Sequence, residues 1–347
     1  MPECTPSARL NAVTLKKNIP VSVTAELTRR CPLSCRHCYL PETRGRAEPA
    51  HEISTAQWKN IFKKLSGAGA LYLTFTGGEP LLRPDLPELC RFAKELRFDV
   101  RVFSTGLGLT PALARELAAA GISGFEISFY GRPAVHDGLT GLAGSFARSL
   151  AAARLLAGAG IRVKMKVPLM TVNAGQAGWL KRLAAKESFG ISFDPVIAPA
   201  NDGGRGALPL RLSRAALGKA VKLITGPGPA AAVPGLPAPE DFLCGAGRNV
   251  CALDPAGNLY PCLQLPVRLG SLLRREFSPL WKNNRWLKAW RKASVKDLAG
   301  CRDCADSPWC SRCPGISLLE EGDALAPNAP ACSLARAQRG VYLKSKK

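Results

Sequence analysis

The sequence predicts an α/β protein in which a parallel sheet covered by helices is followed by a smaller, cysteine-rich domain. Short apolar runs alternate with helical patterns over the first two-thirds of the 347 residues, as expected of successive βα units. A segment with five prolines in fifteen residues, 225–239, is then typical of a linker. Beyond it the chain is irregular and holds eight of its thirteen cysteines. We therefore expect two domains, 1–235 and 236–347.

Hydrophobic periodicity places the strands and helices of the first domain. The candidate strands are 21–27, 71–76, 100–104, 125–129, 161–168 and 191–196. The helical patterns between them cover 54–67, 85–97, 111–121, 145–160 and 177–187. Strand-then-helix order with short connections fits a complete or partial barrel, although a doubly wound open sheet has the same periodicity.

One clear helical pattern, 278–293, stands in the cysteine-rich part. It carries Trp281, Trp286 and Trp290 among several lysines and arginines. This pattern predicts aromatic packing beneath a solvated basic face. A docking surface for an acidic peptide is the alternative.

The composition is that of an ordinary globular chain with a large basic excess. Hydrophobic residues make up 46% and charged residues 21% of the sequence, and the formal net charge is +22. The excess predicts a solvated basic surface or attraction of an acidic partner, and nucleic acid is disfavoured because charge alone fixes no partner. We find neither a run of about 20 apolar residues nor a secretory signal. We therefore expect no membrane partner and a cytoplasmic location.

The cysteines indicate metal or redox chemistry, since disulfides are disfavoured in a reducing compartment. Three of them form the run Cys31-x3-Cys35-x2-Cys38 directly after the first predicted strand. Three thiolates on one tight loop can bind three irons of a 4Fe–4S cube and leave the fourth iron open to an amino acid amine and carboxylate. A zinc site, or a structural cluster with a distant fourth cysteine, is the alternative.

The second predicted strand ends in Thr76-Gly77-Gly78-Glu79-Pro80, where paired glycines allow close backbone approach and a plain βα turn is the alternative. With the cysteine run, this segment resembles the radical S-adenosylmethionine superfamily. The resemblance implies a partial (β/α)6 TIM-like barrel and a cluster whose open iron binds S-adenosylmethionine. Reduction would then release a 5′-deoxyadenosyl radical that abstracts hydrogen from the substrate. By the same resemblance the cofactor contacts are His37, Gly77, Gly78, Glu79, Pro80 and Ser128.

The fourth predicted strand and its loop also resemble this superfamily, in which a polar residue at the strand end, here Ser128, contacts the ribose. His136 and Asp137 follow in the same loop, and we expect them to make local hydrogen bonds. The third strand of the family usually ends in an Asn-Gly pair. This chain has Ser104-Thr105-Gly106 instead, so the resemblance implies no contact there.

The C-terminal cysteines make two complete groups of four. They follow the pattern Cys244-x6-Cys251-x10-Cys262, then Cys301-x2-Cys304-x5-Cys310-x2-Cys313, then Cys332. Zinc is the alternative, but a zinc ribbon needs a longer gap between its Cys pairs, and two 4Fe–4S clusters fit better.

The array resembles the SPASM domain, although the last spacing of the run is x2 where that family usually has x3. The resemblance assigns a nearer cluster to a near set, which consists of Cys244, Cys251, Cys262 and Cys313. It assigns a farther cluster to a far set, which consists of Cys301, Cys304, Cys310 and Cys332. Cys4 and Cys90 match no motif, and we expect both to be structural.

The two resemblances together imply a radical S-adenosylmethionine oxidoreductase that modifies a peptide oxidatively, by a thioether, a carbon–carbon crosslink or a similar bond. They also imply three 4Fe–4S clusters, a peptide or protein substrate and an external electron donor of flavodoxin or ferredoxin type. A small-molecule substrate, such as a tetrapyrrole side chain, and a non-enzymatic iron–sulfur protein are the alternatives.

Two features narrow the choice of substrate. Leu263 stands where sulfatase-maturing enzymes of the family have an acidic base, which disfavours that subclass. Only 30 residues precede Cys31, fewer than a folded domain needs. We therefore expect a leader peptide to be recognised by the barrel, by the cysteine-rich domain or by a separate leader-binding protein.

Overall fold

The computed structural model describes residues 5–40, 52–225 and 237–345. The expected domain boundary near residue 235 lies outside these ranges, and so does Cys4. None of the described helices combines the length and the apolar character needed to span a bilayer.

One sheet runs through the described residues, and its first six strands are parallel and lie side by side in chain order. They are β1 (Ser22–Thr28), β2 (Tyr72–Gly77), β3 (Asp99–Ser104), β4 (Gly124–Ser128), β5 (Val163–Pro168) and β6 (Gly190–Asp194). The order of these strands never reverses, so the sheet lacks the switch point of a doubly wound fold. The predicted partial barrel is confirmed. It is not closed, since β6 is the last strand on one side of the sheet.

The sheet continues past β1 into the cysteine-rich part of the chain. There β7 (Val250–Leu253) pairs with β1 in parallel and is followed by the antiparallel strands β8 (Asn258–Tyr260) and β9 (Gly270–Ser271). The turn between β7 and β8 contains Gly257 at φ +73°, a left-handed conformation that suits glycine. A hairpin turn at 255–257 therefore joins β7 to the antiparallel β8.

Helices connect the strands and cover the sheet. In the barrel they are α1 (Pro6–Lys17), α2 (Thr55–Gly67), α3 (Leu86–Glu95), α4 (Pro111–Ala119), α5 (Pro133–Thr140), α6 (Ser145–Gly158), α7 (Ala177–Lys186) and α8 (Arg214–Thr225). The rest of the chain adds α9 (Phe277–Lys282), α10 (Arg285–Trp290), α11 (Pro314–Glu321) and α12 (Ala329–Ser345). All five helices predicted in the barrel are present. α2 begins with a capping box between Ser54 and Gln57.

The single helix predicted over 278–293 is wrong, because the structure has the two short helices α9 and α10 there. The Asn284 side chain accepts a hydrogen bond from Leu287 N at 3.1 Å and so caps a new helix start. Trp281 and Trp290 are buried, and their indoles donate to backbone carbonyls. The tryptophans therefore pack inward, as the aromatic-packing interpretation predicts.

The apolar core is continuous from the barrel into the cysteine-rich part. Phe75 and Phe125 from the barrel strands belong to the same buried cluster as Cys251 on β7 and Trp290 on α10. Cys90 lies fully buried in this cluster on α3, where a free cysteine behaves as a small apolar side chain. The core thus places the near set directly beside the first strand of the barrel.

Candidate functional site

The loop after β1 carries the first three cysteines at the carboxyl end of the parallel strands, where barrel enzymes place their active sites. Two backbone hydrogen bonds fasten this loop to the end of α5, from Ser34 to Thr140 at 2.9 Å and from Arg36 to Leu139 at 3.3 Å. Its cysteines are neither fully buried nor fully exposed. The three thiols are therefore held on a braced loop at the mouth of the barrel.

The two glycines after β2 are required by the approach of two backbone segments. A Cβ on Gly77 would lie 2.2 Å from Thr28 O, and one on Gly78 would lie 2.2 Å from Arg30 O. Gly78 N donates to Thr28 O at 2.7 Å, and Glu79 N donates to Arg30 O at 2.8 Å. The glycine loop is thus paired with the segment that leads into Cys31, and this pairing fixes the spacing of the two motifs.

Glu79 is fully buried, and its carboxylate is occupied by donors of its own chain. It accepts from Leu81 N at 2.9 Å, Ser104 Oγ at 2.7 Å and Thr105 N at 2.7 Å, and also from the Thr105 hydroxyl. A carboxylate has about four acceptor positions, so these donors fill it. Burial raises the pKa of Glu79. In this structure Glu79 ties the glycine loop to the end of β3, and its contact with the cofactor remains a prediction.

Ser104 and Thr105 hold Glu79, although no sequence motif assigned either residue to the site. The only signal was their place at the end of β3, where polar side chains of neighbouring parallel strands meet. Pro80 follows in the same loop and is buried.

The Tyr130 side chain packs against the first cysteine loop. Its hydroxyl interacts with Ser128 and with the Cys35 thiol, and its ring lies edge-on to His37 with 4.9 Å between the centroids. Burial raises the pKa of Tyr130 well above its usual value, so it stays a neutral hydrogen-bonding group. The structure thus brings the predicted contacts Ser128 and His37 together around a tyrosine that the sequence analysis missed.

Asp137 makes the local hydrogen bonds that the sequence predicted. Its carboxylate accepts from Gly144 N at 2.6 Å, Phe146 N at 2.8 Å and Ser145 Oγ at 2.9 Å, and thereby caps α6. These hydrogen bonds hold the pKa of Asp137 below its usual value.

His136 is buried among aromatic rings, with Phe129, Tyr130 and Phe146 at centroid distances of 5.2 to 5.7 Å. Burial lowers its pKa to about 4. The residue is therefore a neutral packing group at physiological pH, and it does not make the loop hydrogen bonds expected of its side chain in the described part of the chain.

The near set comes together from three separate stretches of chain. Cys262 lies close enough to Cys244, Cys251 and Cys313 for their charges to influence one another. Burial raises the pKa of Cys244 to about 11 and also raises the pKa of Cys251 and Cys262. Cys313 joins this group despite the unusual x2 spacing before it.

The far set is also assembled, but nearer the surface. Cys310 lies close to Cys301, Cys304 and Cys332, and Cys301 lies close to Cys304 and Cys332. Cys310 is exposed and the other three are half-buried. The grouping of the eight C-terminal cysteines is therefore the one expected from the sequence, while their ligation of iron stays a prediction.

Arg312 stands between the two sets. Its guanidinium interacts electrostatically with Cys301 and Cys310 of the far set and with Cys244 and Cys313 of the near set. Hydrogen bonds from Nε and Nη2 to Ala326 O, at 2.9 and 2.7 Å, fix its position. The positive charge of Arg312 thus interacts with both the near set and the far set.

The donor chemistry of these groups fits iron–sulfur clusters. Several buried thiols stand together, and binding to iron stabilises their thiolate form against the burial that raises their pKa. Within the described ranges, no three His, Cys, Asp or Glu side chains are placed to bind one metal ion. A 4Fe–4S cube differs from a site for one metal ion, because its four ligands bind four different irons.

A cavity of about 200 Å³ lies between the first cysteine loop and the near set. Its wall is formed by Glu26, Arg29, Leu40, Asn201, Asp202, Ala252, Leu253, Asp254, Tyr260, Cys262, Leu263 and Pro266. It is smaller than the pockets of roughly 300–1,000 Å³ that enclose whole drug-sized ligands. A cavity of this size suits one side chain or one backbone unit of a larger substrate.

Asn201 ties the two cysteine regions together across this cavity. Its backbone N–H donates to Tyr39 O at 2.8 Å, and its Nδ2 donates to Leu263 O at 3.2 Å. Tyr39 directly follows Cys38, and Leu263 directly follows Cys262. One residue of the segment after β6 therefore sets the separation between the first cysteine loop and the near set.

Two family descriptions match the chain. Residues 25–176 match the radical SAM superfamily, and residues 244–314 match an iron–sulfur cluster-binding domain, SPASM. The first match covers β1 to the start of α7 and includes the first cysteine loop. The second includes the near set and all of the far set except Cys332.

Curated relatives match over nearly the whole length. The PqqA peptide cyclase of Streptomyces rochei is 31% identical over 343 residues, covering 91% of this chain and 90% of its own length. The mycofactocin maturase MftC of Mycobacterium ulcerans is 31% identical over 316 residues, covering 84% and 82%.

Solved structures share the fold. Streptococcus suis SuiB bound to S-adenosylmethionine aligns with a TM-score of 0.72 at 16% identity, over 94% of this chain and 81% of SuiB. Native anSMEcpe with bound AdoMet aligns with a TM-score of 0.74 at 16% identity, over 94% and 97%. The two domain matches imply the cofactors of the family, which are 4Fe–4S clusters and S-adenosylmethionine. The chain therefore belongs to the radical S-adenosylmethionine superfamily and is one of its enzymes with a C-terminal SPASM domain.

Proposed function

We propose that this enzyme oxidatively modifies a ribosomal peptide, forming a thioether, a carbon–carbon crosslink or a similar bond. The relatives named above are a peptide cyclase and a maturase, which supports this class of substrate. The observation that carries the proposal is the cavity between the first cysteine loop and the near set, because it lies where a substrate would meet both redox regions.

The polar groups of the cavity suit a peptide backbone. Within the described ranges, Arg29 Nε is a buried donor and Asn201 Oδ1 a buried acceptor, and neither has a hydrogen-bond partner. The Asn201 amide is oriented by its Nδ2 bond to Leu263 O. Buried polar groups are normally satisfied, and one peptide amide supplies a carbonyl for Arg29 and an N–H for Asn201. The pair therefore supports binding of a substrate amide at this wall.

The chain's own residues position the reaction. When bound, S-adenosylmethionine and the clusters supply one-electron chemistry, namely reductive cleavage and hydrogen abstraction from an unactivated carbon. Cys31, Cys35 and Cys38 would hold the first cluster, and the near and far sets would hold two more. Asn201 and the paired loops at Gly78 and Thr28 keep these regions at a fixed separation, which is the protein's contribution to orientation.

The proposal includes two protein partners. Reductive cleavage needs an electron from outside the chain, and the net charge of +22 favours an acidic donor such as a flavodoxin or ferredoxin. A separate leader-binding protein would present the peptide. Lys282, Arg285, Lys288 and Lys292, which are exposed on and beside α9 and α10, offer an acidic partner a basic surface.

The test is reconstitution under strict anaerobiosis with the peptides of the short reading frames next to the gene. The enzyme, S-adenosylmethionine and a reductant should yield 5′-deoxyadenosine and a peptide lighter by two hydrogen atoms, as seen by mass spectrometry. A crosslink is then located by fragmentation. If 5′-deoxyadenosine forms with every such peptide but no peptide changes mass, peptide oxidation is not the function.

A further inference from the structure

Glu26 is a carboxylate in the wall of the cavity whose position is set by the first cysteine loop. It is 5% exposed near the end of β1, and it accepts a hydrogen bond from Tyr39 Oη at 2.7 Å. Tyr39 directly follows Cys38. The loop predicted to hold the first cluster therefore also orients this carboxylate toward the place where a substrate would lie.

Two other carboxylates line the cavity, Asp202 and Asp254. Asp202 is exposed, and its Oδ1 accepts from Gly204 N at 3.0 Å, whereas Asp254 is buried and committed to the hairpin turn. It accepts from Ala256 N at 3.0 Å, Asn258 N at 2.9 Å, Asn258 Nδ2 at 2.8 Å and Tyr260 Oη at 3.1 Å. These four donors fill the acceptor positions of a carboxylate. Leu263, next to the near set, has no ionisable group. Glu26 is therefore the buried carboxylate of the cavity that keeps acceptor positions for a proton from a bound substrate.

We propose that Glu26 accepts the proton that the substrate loses in the oxidative step. The inference rests on the proposed function and adds a residue to it. Hydrogen-atom transfer to the 5′-deoxyadenosyl radical breaks one substrate C–H bond and leaves a carbon radical. Formation of the new bond then requires the loss of one more electron and one proton. The electron goes to an acceptor of the iron–sulfur class beside the near set, and the proton goes to Glu26.

The surroundings of Glu26 suit this task. Burial raises the pKa of Glu26 to about 7, while the Tyr39 hydrogen bond and the Arg29 charge lower it and the Asp254 charge raises it. A proton acceptor works best when its pKa lies near the working pH. The carboxylate is ionised above about pH 7 and can release the proton through the open side of the cavity.

The first experiment separates hydrogen abstraction from proton loss. Holoenzyme with Glu26→Gln is compared with wild type on the fully deuterated neighbouring-frame peptide. We expect deuterium to appear in 5′-deoxyadenosine in both, while modified peptide falls at least about 100-fold in the variant, as on loss of a general base. Full product from Glu26→Gln overturns the inference alone. Absence of deuterium transfer and of product in wild type overturns the proposed function, and this inference with it.

Asp254→Asn is the matched control, because it neutralises the other buried carboxylate of the cavity. It should keep most of the product, since Asp254 serves the turn. If Asp254→Asn and Glu26→Gln reduce the product equally at unchanged iron content, the assignment to Glu26 is overturned.

The second experiment uses the pH profile of product formation. Tyr39→Phe removes a hydrogen bond that lowers the pKa of Glu26, so the acidic limb of the profile should move to higher pH by about one unit. Tyr260→Phe removes a hydroxyl from Asp254 instead and should leave that limb in place. An acidic limb that stays fixed in Tyr39→Phe, or moves equally in both variants, contradicts the role of Glu26.

Discussion

The near and far cysteine sets both lie between residues 244 and 332 of the chain but in different environments. Cys251 of the near set is fully buried on β7 beside β1, and Cys262 lines the cavity. Cys310 of the far set is exposed; of its neighbours, Cys301 and Cys304 lie on irregular chain and Cys332 lies on α12. A buried group next to the substrate cavity can take an electron from the substrate, whereas an exposed group can pass it to another protein. Burial thus separates two roles that the cysteine spacing alone does not distinguish.

The largest expected effect is loss of product when the near set is broken. Cys262→Ala should abolish peptide modification, at least about 100-fold, while 5′-deoxyadenosine formation continues, because the three cysteines of the first loop are untouched. The measurement is the ratio of 5′-deoxyadenosine to modified peptide. Cys90→Ala is the control, since Cys90 is buried outside both sets. Full product from Cys262→Ala would show that the near set is structural.

Breaking the far set should have a smaller effect. Cys310→Ala is expected to cost about four of roughly twelve irons and to slow repeated turnover. The first turnover should survive, since the near set remains beside the cavity. Single-turnover and steady-state product yields, with iron analysis, check this difference. Equal loss in both regimes would remove the distinction between the two sets.

A smaller effect is expected at Arg312, which is close to both sets. A positive charge stabilises the reduced, more negative form of a cluster, so Arg312→Gln should lower the reduction potentials of both auxiliary clusters by tens of millivolts. Arg312→Lys keeps the charge and should lie between the variant and wild type. Potentials are read by electron paramagnetic resonance during a redox titration. A shift in only one cluster would place the charge in that set alone.

The smallest expected effect is on the pH dependence of thermal stability, which the buried carboxylate of Glu26 contributes to. The pKa of Glu26 is raised from 4.5 to about 7, so the folded state binds its proton more tightly than the unfolded state. The protonated carboxyl group of Glu26 therefore adds to the free energy of unfolding below about pH 4.5. This stabilisation is lost as the pH rises through 7, by roughly 3 kcal/mol in all. Glu26→Gln should therefore melt at an increasingly higher temperature than wild type between pH 5 and pH 8. Glu88→Gln, on the surface beside Lys59, is the control for removing one negative charge from the chain.

Local pattern was sufficient to predict the six parallel strands and five of the helices. Buried apolar residues alternate with polar ones along β3, β4 and β5, and helices such as α2 have a clear cap at Ser54, so these elements could be placed from their own residues. The helix over 278–293 was misplaced because Asn284 caps a second helix within an unbroken amphipathic pattern. α5 was missed because its eight residues, Pro133–Thr140, are too short to show a clear period.

The candidate site was predictable where residues are close in sequence or belong to a family motif, and not where other distant segments meet. The resemblance to the SPASM domain was enough to group the cysteines, including Cys313. The bridge from Asn201 to both Tyr39 and Leu263 joins three parts of the chain, and no local pattern indicates it. The same holds for Glu26 and Tyr39, which meet because a strand end and a loop fold together.

The pairing of β1 with β7 has a consequence for how the chain acquires its structure. Val23 pairs with Cys251, which lies more than half the chain length later in the sequence. During synthesis, β1 therefore cannot pair with β7 until that later segment has been made. Pairings between such distant segments form slowly and leave an open strand edge in the meantime. A fragment ending at the linker would expose that edge permanently and should self-associate. If iron arrives before β7 pairs with β1, the near set is still incomplete. Cluster assembly at the near set therefore depends on a late step of folding.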